Sequence, residues 1–367
     1  MSLPAVDAEV LVAGGGAAGL TAAARLALDG RSVAVVTSAT PATALSTGRM
    51  LIDPDGPGVA EWASFFLAQF RRQGAHYVMS KRHVNALTNY GTPMVQSLTS
   101  PLFDWTTGDR DVAVVGMIGN GDLDPDMVSR EIGRSHRAMP RPYWFSSSFS
   151  PELDRDLFSE ELGSVLKDDV AESTIVLPPL PFRSPYDLLA ELRKRSGKRI
   201  VEAATPLSWP GRRLQALLEG TAARLGVQIL RDRRLASIEV EGREATGALL
   251  SSGGREQQAR FNALVLATGG IVSGGLIIDG REVADPWGMF RTAAAPLSGV
   301  ASPHLRNALS YGIATRKGRA VTLQGGSLRN VVVAGSLAKG MSYPLGHGLG
   351  DVVMHAWNAA LTVEEML

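Results

Sequence analysis

The sequence predicts an α/β fold: a Rossmann-type, dinucleotide-binding sheet with a further α/β segment inserted into it. Three observations carry that prediction. Residues 9–37 run strand, glycine turn, helix, strand; residues 209–270 give a helix, several short strands and an apolar strand closing on Thr268, Gly269 and Gly270; and residues 111–177 repeat a strand–helix pattern of their own. At 367 residues the chain has room for two compact units, by a yardstick of roughly 150 residues each. The expected division is a discontinuous nucleotide-binding domain, residues 1–89 with 200–367, and an inserted domain over 90–199.

The first βαβ unit is the sharpest local signal. Residues 9–13 (EVLVA) form a short apolar run, residues 20–29 an Ala-rich helical stretch stopped by Gly30, and residues 32–37 (SVAVVT) a second strand. Between the first strand and the helix stand Gly14, Gly15, Gly16, Ala17, Ala18 and Gly19, so GxGxxG fits at Gly14, Gly16 and Gly19. Each glycine has a reason: the first permits a tight turn, the second lets backbone approach a pyrophosphate, and the third seats the helix close to the strand. The helix start then offers N–H groups and about half a positive charge to the phosphates. One member of the fingerprint is missing. The second strand of such a unit ordinarily ends in Asp or Glu for the adenosine ribose, and here it ends in Thr37 and Ser38. GxGxxG favours FAD as the cofactor, and the missing acid keeps FMN beside it as a candidate.

The inserted segment reads β-α-β-α-β: a strand at 111–115 (DVAVV), a helix at 125–137, an aromatic strand at 143–145, a helix at 151–167 and a strand at 173–177 (STIVL). Gly116, Gly119 and Gly121 follow its first strand, but GMIGNG does not fit GxGxxG, so a turn is preferred to a nicotinamide-nucleotide site. Trp209, Pro210 and Gly211 open a helix with Leu214, Leu217, Leu218 and Leu225 on one face. Strands follow at 227–230, 235–241, 244–251 and 258–267 (QARFNALVLA). This order is that of a glutathione-reductase-type flavin-binding Rossmann domain, with the inserted segment as an α/β cap.

Near the C-terminus an apolar strand at 330–334 runs into Gly335 and Ser336. A loop through Gly346, His347, Gly348, Leu349 and Gly350 then leads to a helix expected near Asp351, with Val352, Val353, Ala356, Trp357, Ala360 and Leu361 toward one face. Such a helix start can aim its dipole at the pyrimidine edge of a flavin, where negative charge gathers on reduction.

Composition closes off several chemistries. Lys plus Arg number 37 against 36 Asp plus Glu, a formal +1 that argues against a surface holding nucleic acid by bulk charge. The chain has no Cys, hence no disulfide, thiolate zinc site, CxxC pair or thiolate-held iron–sulfur cluster, and redox work falls to an organic cofactor. HxxxH, HExxH and GxSxG are absent, so neither a metal site nor a hydrolase elbow is expected. No stretch supplies the roughly 18 consecutive apolar residues of a spanning helix. The start MSLPAVDAEV lacks a basic region and apolar block, so a cytoplasmic location is expected. Between positions 191 and 234, 11 Lys or Arg stand against 4 Asp or Glu; a solvated helix face explains such a run more simply than attraction of a phosphorylated substrate.

The chain resembles the B component of the anaerobic glycerol-3-phosphate dehydrogenases, a flavoprotein family. The residues that carry the likeness are 13–20 (AGGGAAGL), 36–48 (VTSATPATALSTG), 111–119 (DVAVVGMIG), 267–276 (ATGGIVSGGL), 328–337 (LRNVVVAGSL) and the glycine loop at 346–350. ATGGIVSGGL discriminates best, since the glycine-rich start is shared by many flavoproteins. The likeness runs end to end and is loosest in the middle third, and the chain is shorter than the family leads one to expect. The resemblance implies a complex with a larger flavoprotein, the A component, and an iron–sulfur membrane protein, the C component, so that the chain lies peripheral to the cytoplasmic membrane through that partner. Such complexes oxidise sn-glycerol 3-phosphate to dihydroxyacetone phosphate and pass electrons toward a quinone. The B component is usually assigned FMN.

The motifs and the resemblance together give the expected flavin contacts: Gly14, Gly15, Gly16, Ala17, Ala18, Gly19, Thr37, Ser38, Ser46, Thr47, Gly48, Leu235, Thr268, Gly269, Gly335, Ser336, Gly348, Leu349 and Gly350. No catalytic residue is assigned. His347 is a candidate acid or base beside the glycine loop, with a structural hydrogen bond as its plainer role. Three roles stay open: the substrate-oxidising member of the complex, a non-catalytic electron-transfer or scaffold member, and an NAD(P)H-dependent flavin reductase.

Overall fold

A computed structural model describes residues 4–100, 105, 111–136, 139–182, 185–280, 282–294, 310–341 and 348–367. In chain order it begins with β1 (Val6–Asp7), β2 (Val10–Ala13), α1 (Ala17–Leu28), β3 (Val33–Thr37), α2 (Ala42–Leu45) and α3 (Val59–Arg72). Next come β4 (Val78–Leu87), β5 (Pro93–Thr99), β6 (Val112–Met117), α4 (Pro125–His136), β7 (Arg141–Phe145), α5 (Arg155–Asp168), β8 (Thr174–Leu177), α6 (Tyr186–Ser196) and β9 (Arg199–Glu202). Helix α7 (Trp209–Arg224) leads to β10 (Gln228–Arg231), β11 (Arg234–Glu241), β12 (Glu244–Ser252), β13 (Arg255–Arg260) and β14 (Ala263–Leu266). The short strands β15 (Ile277–Asp279), β16 (Glu282–Ala284), β17 (Thr292–Ala293), β18 (Gly312–Ile313), β19 (Thr315–Arg316) and β20 (Arg319–Val321) precede β21 (Ser327–Val333) and α8 (Gly348–Glu364).

These elements form two compact units, one of Met1–Thr43, Asp55–Trp62 and Gln215–Leu367, the other of Ala44–Pro54 and Ala63–Leu214. The segment expected as an insertion, 90–199, falls inside the second unit, which also takes in 44–54, 63–89 and 200–214. Strand pairing explains the larger extent. Met50 bridges Leu98, β4 pairs with β5, β9 pairs with β8, and Thr88 bridges Ala204.

The first unit carries the expected Rossmann-type sheet. Its seven-stranded sheet has the order β10-β3-β2-β14-β21-β20-β19, parallel from β10 through β21. Every residue of β2 and β14 is buried, as a parallel strand covered on both faces requires. Helices α1 and α8 pack on each other, and both bury many small side chains, Ala18, Ala22 and Ala23 among them on α1 and Ala356, Ala359 and Ala360 on α8. Leu11, Val36, Leu264, Leu266, Val331 and Val333 form one core cluster with Leu235, Ile238, Ala248 and Leu250 of the antiparallel strands β11 and β12. Leu361, expected on the buried face of the last helix, is exposed, and Val363 is buried in its place.

The run 258–267 is not one strand. β13 belongs to a four-stranded sheet, β1-β13-β12-β11, and β14 to the seven-stranded sheet. The burial pattern gives the reason: β13 alternates over Gln257–Arg260, one face buried, whereas β14 is buried throughout. The break falls at Asn262, whose N–H donates to Glu9 O at 2.9 Å and whose carbonyl accepts from Asn330 Nδ2 at 2.8 Å.

The second unit holds a four-stranded, all-parallel sheet of order β7-β6-β8-β9, with β6 buried throughout, together with the β4–β5 hairpin. Helix α5 begins at Arg155, four residues after Pro151, because residues 151–153 form a turn. Gly116 lies within β6, where a Cβ would stand 2.6 Å from Pro125 Cδ, so packing alone accounts for that glycine. The α4 start that a nucleotide phosphate would use is capped by Asp124 Oδ1, which accepts the Met127 N–H at 2.9 Å, and Asp126 adds a second carboxylate in the first turn. An anionic cap repels phosphate, which removes the basis of a nicotinamide-nucleotide reading here. Among the described residues, no helix is long and apolar enough to cross a membrane.

Candidate functional site

In the first unit β2, β14 and β21 are parallel neighbours with Ala13, Leu266 and Val333 in register. Three glycine-bearing turns therefore leave the sheet side by side, at the carboxyl edge where open α/β sheets bind ligands.

The first turn separates glycines that packing requires from one that it does not. Gly14 has φ +120° and donates its N–H to Val36 O at 2.8 Å; a Cβ there would overlap Ala267 O. A Cβ on Gly19 would overlap Gly14 O, and one on Gly15 would stand 2.7 Å from Thr37 Cβ. Gly16 differs. Its φ of −86° suits any residue, and a Cβ would meet only Thr43 Oγ1 at 3.4 Å and Pro41 Cβ at 3.6 Å. Ala17 N–H donates to Thr43 Oγ1 at 2.8 Å, and the first intrahelical bond is Leu20 N–H to Gly16 O, so Ala18 and Gly19 carry the N–H groups next in line at the helix start. No acid stands in the first turn of α1, which leaves its positive end to an anion.

The second turn, ATGGIVSGGL, folds back on itself. Residues Ile271–Ser273 form a 3₁₀ turn closed by Gly274 at φ +74°, and Gly275 N–H donates to Gly270 O at 3.1 Å. A Cβ on Gly275 would overlap Gly269 O, which explains the second glycine pair of the motif. Thr268 Oγ1 is enclosed and has no hydrogen-bond partner among the described residues. A buried hydroxyl without a partner calls for one from outside the protein, a water or a ligand group.

The third turn holds Gly335 (φ +64°), against which Ala18 packs so closely that a Cβ would overlap it. Ser336 Oγ lies 3.7 Å from where a Gly269 Cβ would stand, so the second and third turns meet. Gly335 N–H donates to His355 Nδ1 at 3.1 Å. The imidazole therefore accepts with Nδ1 and is neutral, and burial holds its pKa below the ordinary 6.5. With the folded value depressed, the unfolded chain binds that proton more tightly. His355 is thus expected to cost no stability above about pH 6.5 and to destabilise the fold progressively as pH falls below it, by at most about 1.4 kcal/mol per pH unit. Melting temperature followed from about pH 8 to about pH 5 should drop on the acid side, and His355→Gln, which keeps an acceptor, should flatten that drop; an unchanged acid limb would exclude His355 as its source.

Gly348, Leu349 and Gly350 form the first turn of α8, which starts at Gly348 and not near Asp351. His347 and Gly346 lie outside the described residues. Thr37 ends β3 with its Oγ1 3.4 Å from Ala39 O, Ser38 is exposed, and Leu235 is buried at the start of β11, its carbonyl accepting Trp287 Nε1–H at 3.0 Å.

Ser46, Thr47 and Gly48 belong to the second unit. Gly48 has φ +66°, its N–H donates to Ser46 Oγ at 3.1 Å, and a Cβ would press on Pro210 O. Arg49, which follows, is buried, and desolvation lowers its pKa to about 9, opposed by Tyr77 and Glu202. Arg213 and Glu202 form a buried bidentate pair at 2.6 and 2.8 Å. The basic run at 191–234 is therefore not wholly a solvated face: one of its arginines is a core residue. Sequence reasoning missed Thr43, Gln215, His355 and this pair; for Gln215 a signal existed, a polar residue on the buried stripe of α7 that holds Leu214, Leu218 and Ala222.

A glycine held open beside a helix start, an acid-free first turn and an orphaned hydroxyl in the adjacent turn fit a dinucleotide, and with the parallel sheet they define a flavoprotein-type nucleotide-binding domain. The chain belongs to the FAD binding domain family, whose model matches residues 9–296. It is on that ground a flavin-dependent oxidoreductase, and the match gives FMN no support. No curated protein matches the sequence. Similar solved structures include 3-ketosteroid-delta4-(5alpha)-dehydrogenase from Rhodococcus jostii RHA1, at 13% identity over 99% of this chain and 98% of that one with a TM-score of 0.43. Another is 3-ketosteroid delta1-dehydrogenase from Sterolibacterium denitrificans, at 10% identity, 98% and 99% coverage and a TM-score of 0.44. A third is a flavocytochrome c3 fumarate reductase in an open conformation, at 12%, 98% and 79% coverage and 0.42.

Proposed function

We propose that this chain holds FAD noncovalently and serves as a flavin-carrying component of an anaerobic, quinone-linked glycerol-3-phosphate dehydrogenase. The observation that carries the finer reading is ATGGIVSGGL, the segment that most distinguishes the resembling family, folded as a compact turn at the end of β14 with Thr268 Oγ1 left for a ligand. FAD, when bound, supplies the capacity to accept two electrons and release them singly. The chain's own residues have simpler tasks. Ala18 and Gly19 offer N–H groups to phosphate, Gly16 yields the space, and Gly14 and Gly19 fix the turn that aims them. With no Cys the chain carries no thiolate for a cluster, so electrons leave through a partner that has one.

An electron-transfer role without substrate oxidation is the second reading. Its support is that no acid or base is assigned at the glycine turns, where His355 Nδ1 accepts the Gly335 N–H and His347 lies outside the described residues. The test is purification from the native host with its partners, release of the chromophore for mass measurement, and assay of sn-glycerol 3-phosphate oxidation. FAD mass with co-purifying iron–sulfur protein and glycerol-3-phosphate turnover in the complex is the expected result. FMN, or flavin without any response to glycerol 3-phosphate, would overturn the finer reading.

A further inference from the structure

The dinucleotide reading leaves one feature of the sequence unaccounted for: β3 ends in Thr37 where an acid for the adenosine ribose ordinarily stands. The structure brings a carboxylate to that place from another element. β10 pairs with β3 in parallel register with Arg231 opposite Thr37, and Arg233 N–H donates to Thr37 O at 3.1 Å. Arg231 Nη2 holds Glu219 Oε2 at 2.5 Å. Glu219 Oε1 accepts from Gln215 Nε2 at 2.8 Å, and the same nitrogen donates to Gly15 O at 2.7 Å. Gly15 in turn lies against the Thr37 side chain. Gly15, Gln215, Glu219 and Arg231 thus form a chain of contacts that starts and ends at Thr37.

Gln215 supplies the second observation. Both partners of its Nε2 are acceptors, which fixes the orientation of the amide and leaves Oε1 as the other end. Gln215 is 5% exposed, and its Oε1 is enclosed with no hydrogen-bond partner among the described residues. A buried acceptor beside a nucleotide turn is unfavourable until a donor arrives. Ribose hydroxyls are such donors, and a carboxylate with an amide oxygen beside it is a set of acceptors suited to a vicinal diol.

We propose that Glu219 and Gln215 are the ribose anchor of this protein: helix α7 delivers the acceptors for the adenosine diol that the end of β3 lacks. Arg231 orients Glu219 and balances its charge; Gln215 also pins the Gly15 carbonyl, so the anchor and the phosphate turn are set by one side chain. The inference rests on the FAD reading, and its test keeps the two apart.

The test uses the full-length apoprotein with FAD and with its 2′-deoxyadenosine and 3′-deoxyadenosine analogues, affinities being read from flavin-fluorescence quenching. Wild type should prefer FAD to at least one analogue by about tenfold, the worth of a hydrogen bond to a charged acceptor. Glu219→Gln should lose most of that preference while binding the analogue as wild type does, and Thr37→Ala should keep it. A preference undiminished in Glu219→Gln, abolished by Thr37→Ala, or absent from wild type that binds FAD, overturns the anchor and leaves the cofactor reading standing. A wild type that binds neither FAD nor the analogues overturns both.

Discussion

Gly16→Ala is expected to fold normally and to lose FAD. The added Cβ meets nothing nearer than Thr43 Oγ1 at 3.4 Å and needs no unusual backbone, since φ is −86°. What it does meet is the ligand, because it occupies the space through which a pyrophosphate reaches the N–H groups of Ala18 and Gly19. Losing two charge-assisted hydrogen bonds at roughly 1.5 kcal/mol each weakens binding by about 100-fold. The paired variant Gly19→Ala should behave differently, since its Cβ would overlap Gly14 O and the helix must move off the strand. Circular dichroism and melting temperature separate the two effects, and flavin content reads the outcome. A folded Gly16→Ala protein with its full complement of FAD would show that the phosphates lie elsewhere.

The second large effect is expected far from the glycine turns, in the second unit. Arg213 gives Nη1 and Nη2 to the two oxygens of Glu202, Nε to Phe182 O at 2.8 Å and Nη2 also to Leu180 O, while Leu180 N–H donates to Glu202 at 2.7 Å. Both side chains are at most 5% exposed. Removing either partner strands a buried charge, so Glu202→Ala or Arg213→Ala should destabilise the unit by about 3–5 kcal/mol. The double change Glu202→Leu with Arg213→Met removes both charges together and should cost less than either single change. Chemical denaturation of the three variants decides the matter; single variants as stable as wild type would mean that the pair adds nothing to the fold.

Much of this protein was legible in its sequence. Apolar runs place β2 and β3, an Ala-rich stretch places α1, and the glycine spacing places the turn between them, because those signals are local: a run of one residue class, a helix stop at Gly30, a backbone conformation that only glycine tolerates easily. The α/β character of 111–177 is local in the same way. What sequence could not supply are facts about which distant segments meet. The run 258–267 is uniformly strand-like, and only its pairing with Val6 and Asp7 on one side of Asn262 and with residues 10–13 on the other divides it between two sheets. The extent of the second unit depends on β9 finding β8 across a helix.

The site divides along the same line. Its glycines are written in the sequence, Gly14, Gly269 and Gly335 because their backbone takes a positive φ and Gly15, Gly19 and Gly275 because a Cβ would collide with a neighbour. The motif assigns Gly16 the ligand-facing place between Gly14 and Gly19, and the packed structure adds that those two are needed by the fold while Gly16 has space around it. Thr43 at the start of α1, His355 on Gly335, and the path from Gly15 through Gln215 and Glu219 to Arg231 join residues as much as 200 positions apart. A hydrogen bond across such a separation leaves no period or spacing in the chain. It exists only when the sheet has set its strands in register, which is why the sequence by itself determined the fold class and the glycine turns, and tertiary structure decided which distant side chains meet around those turns.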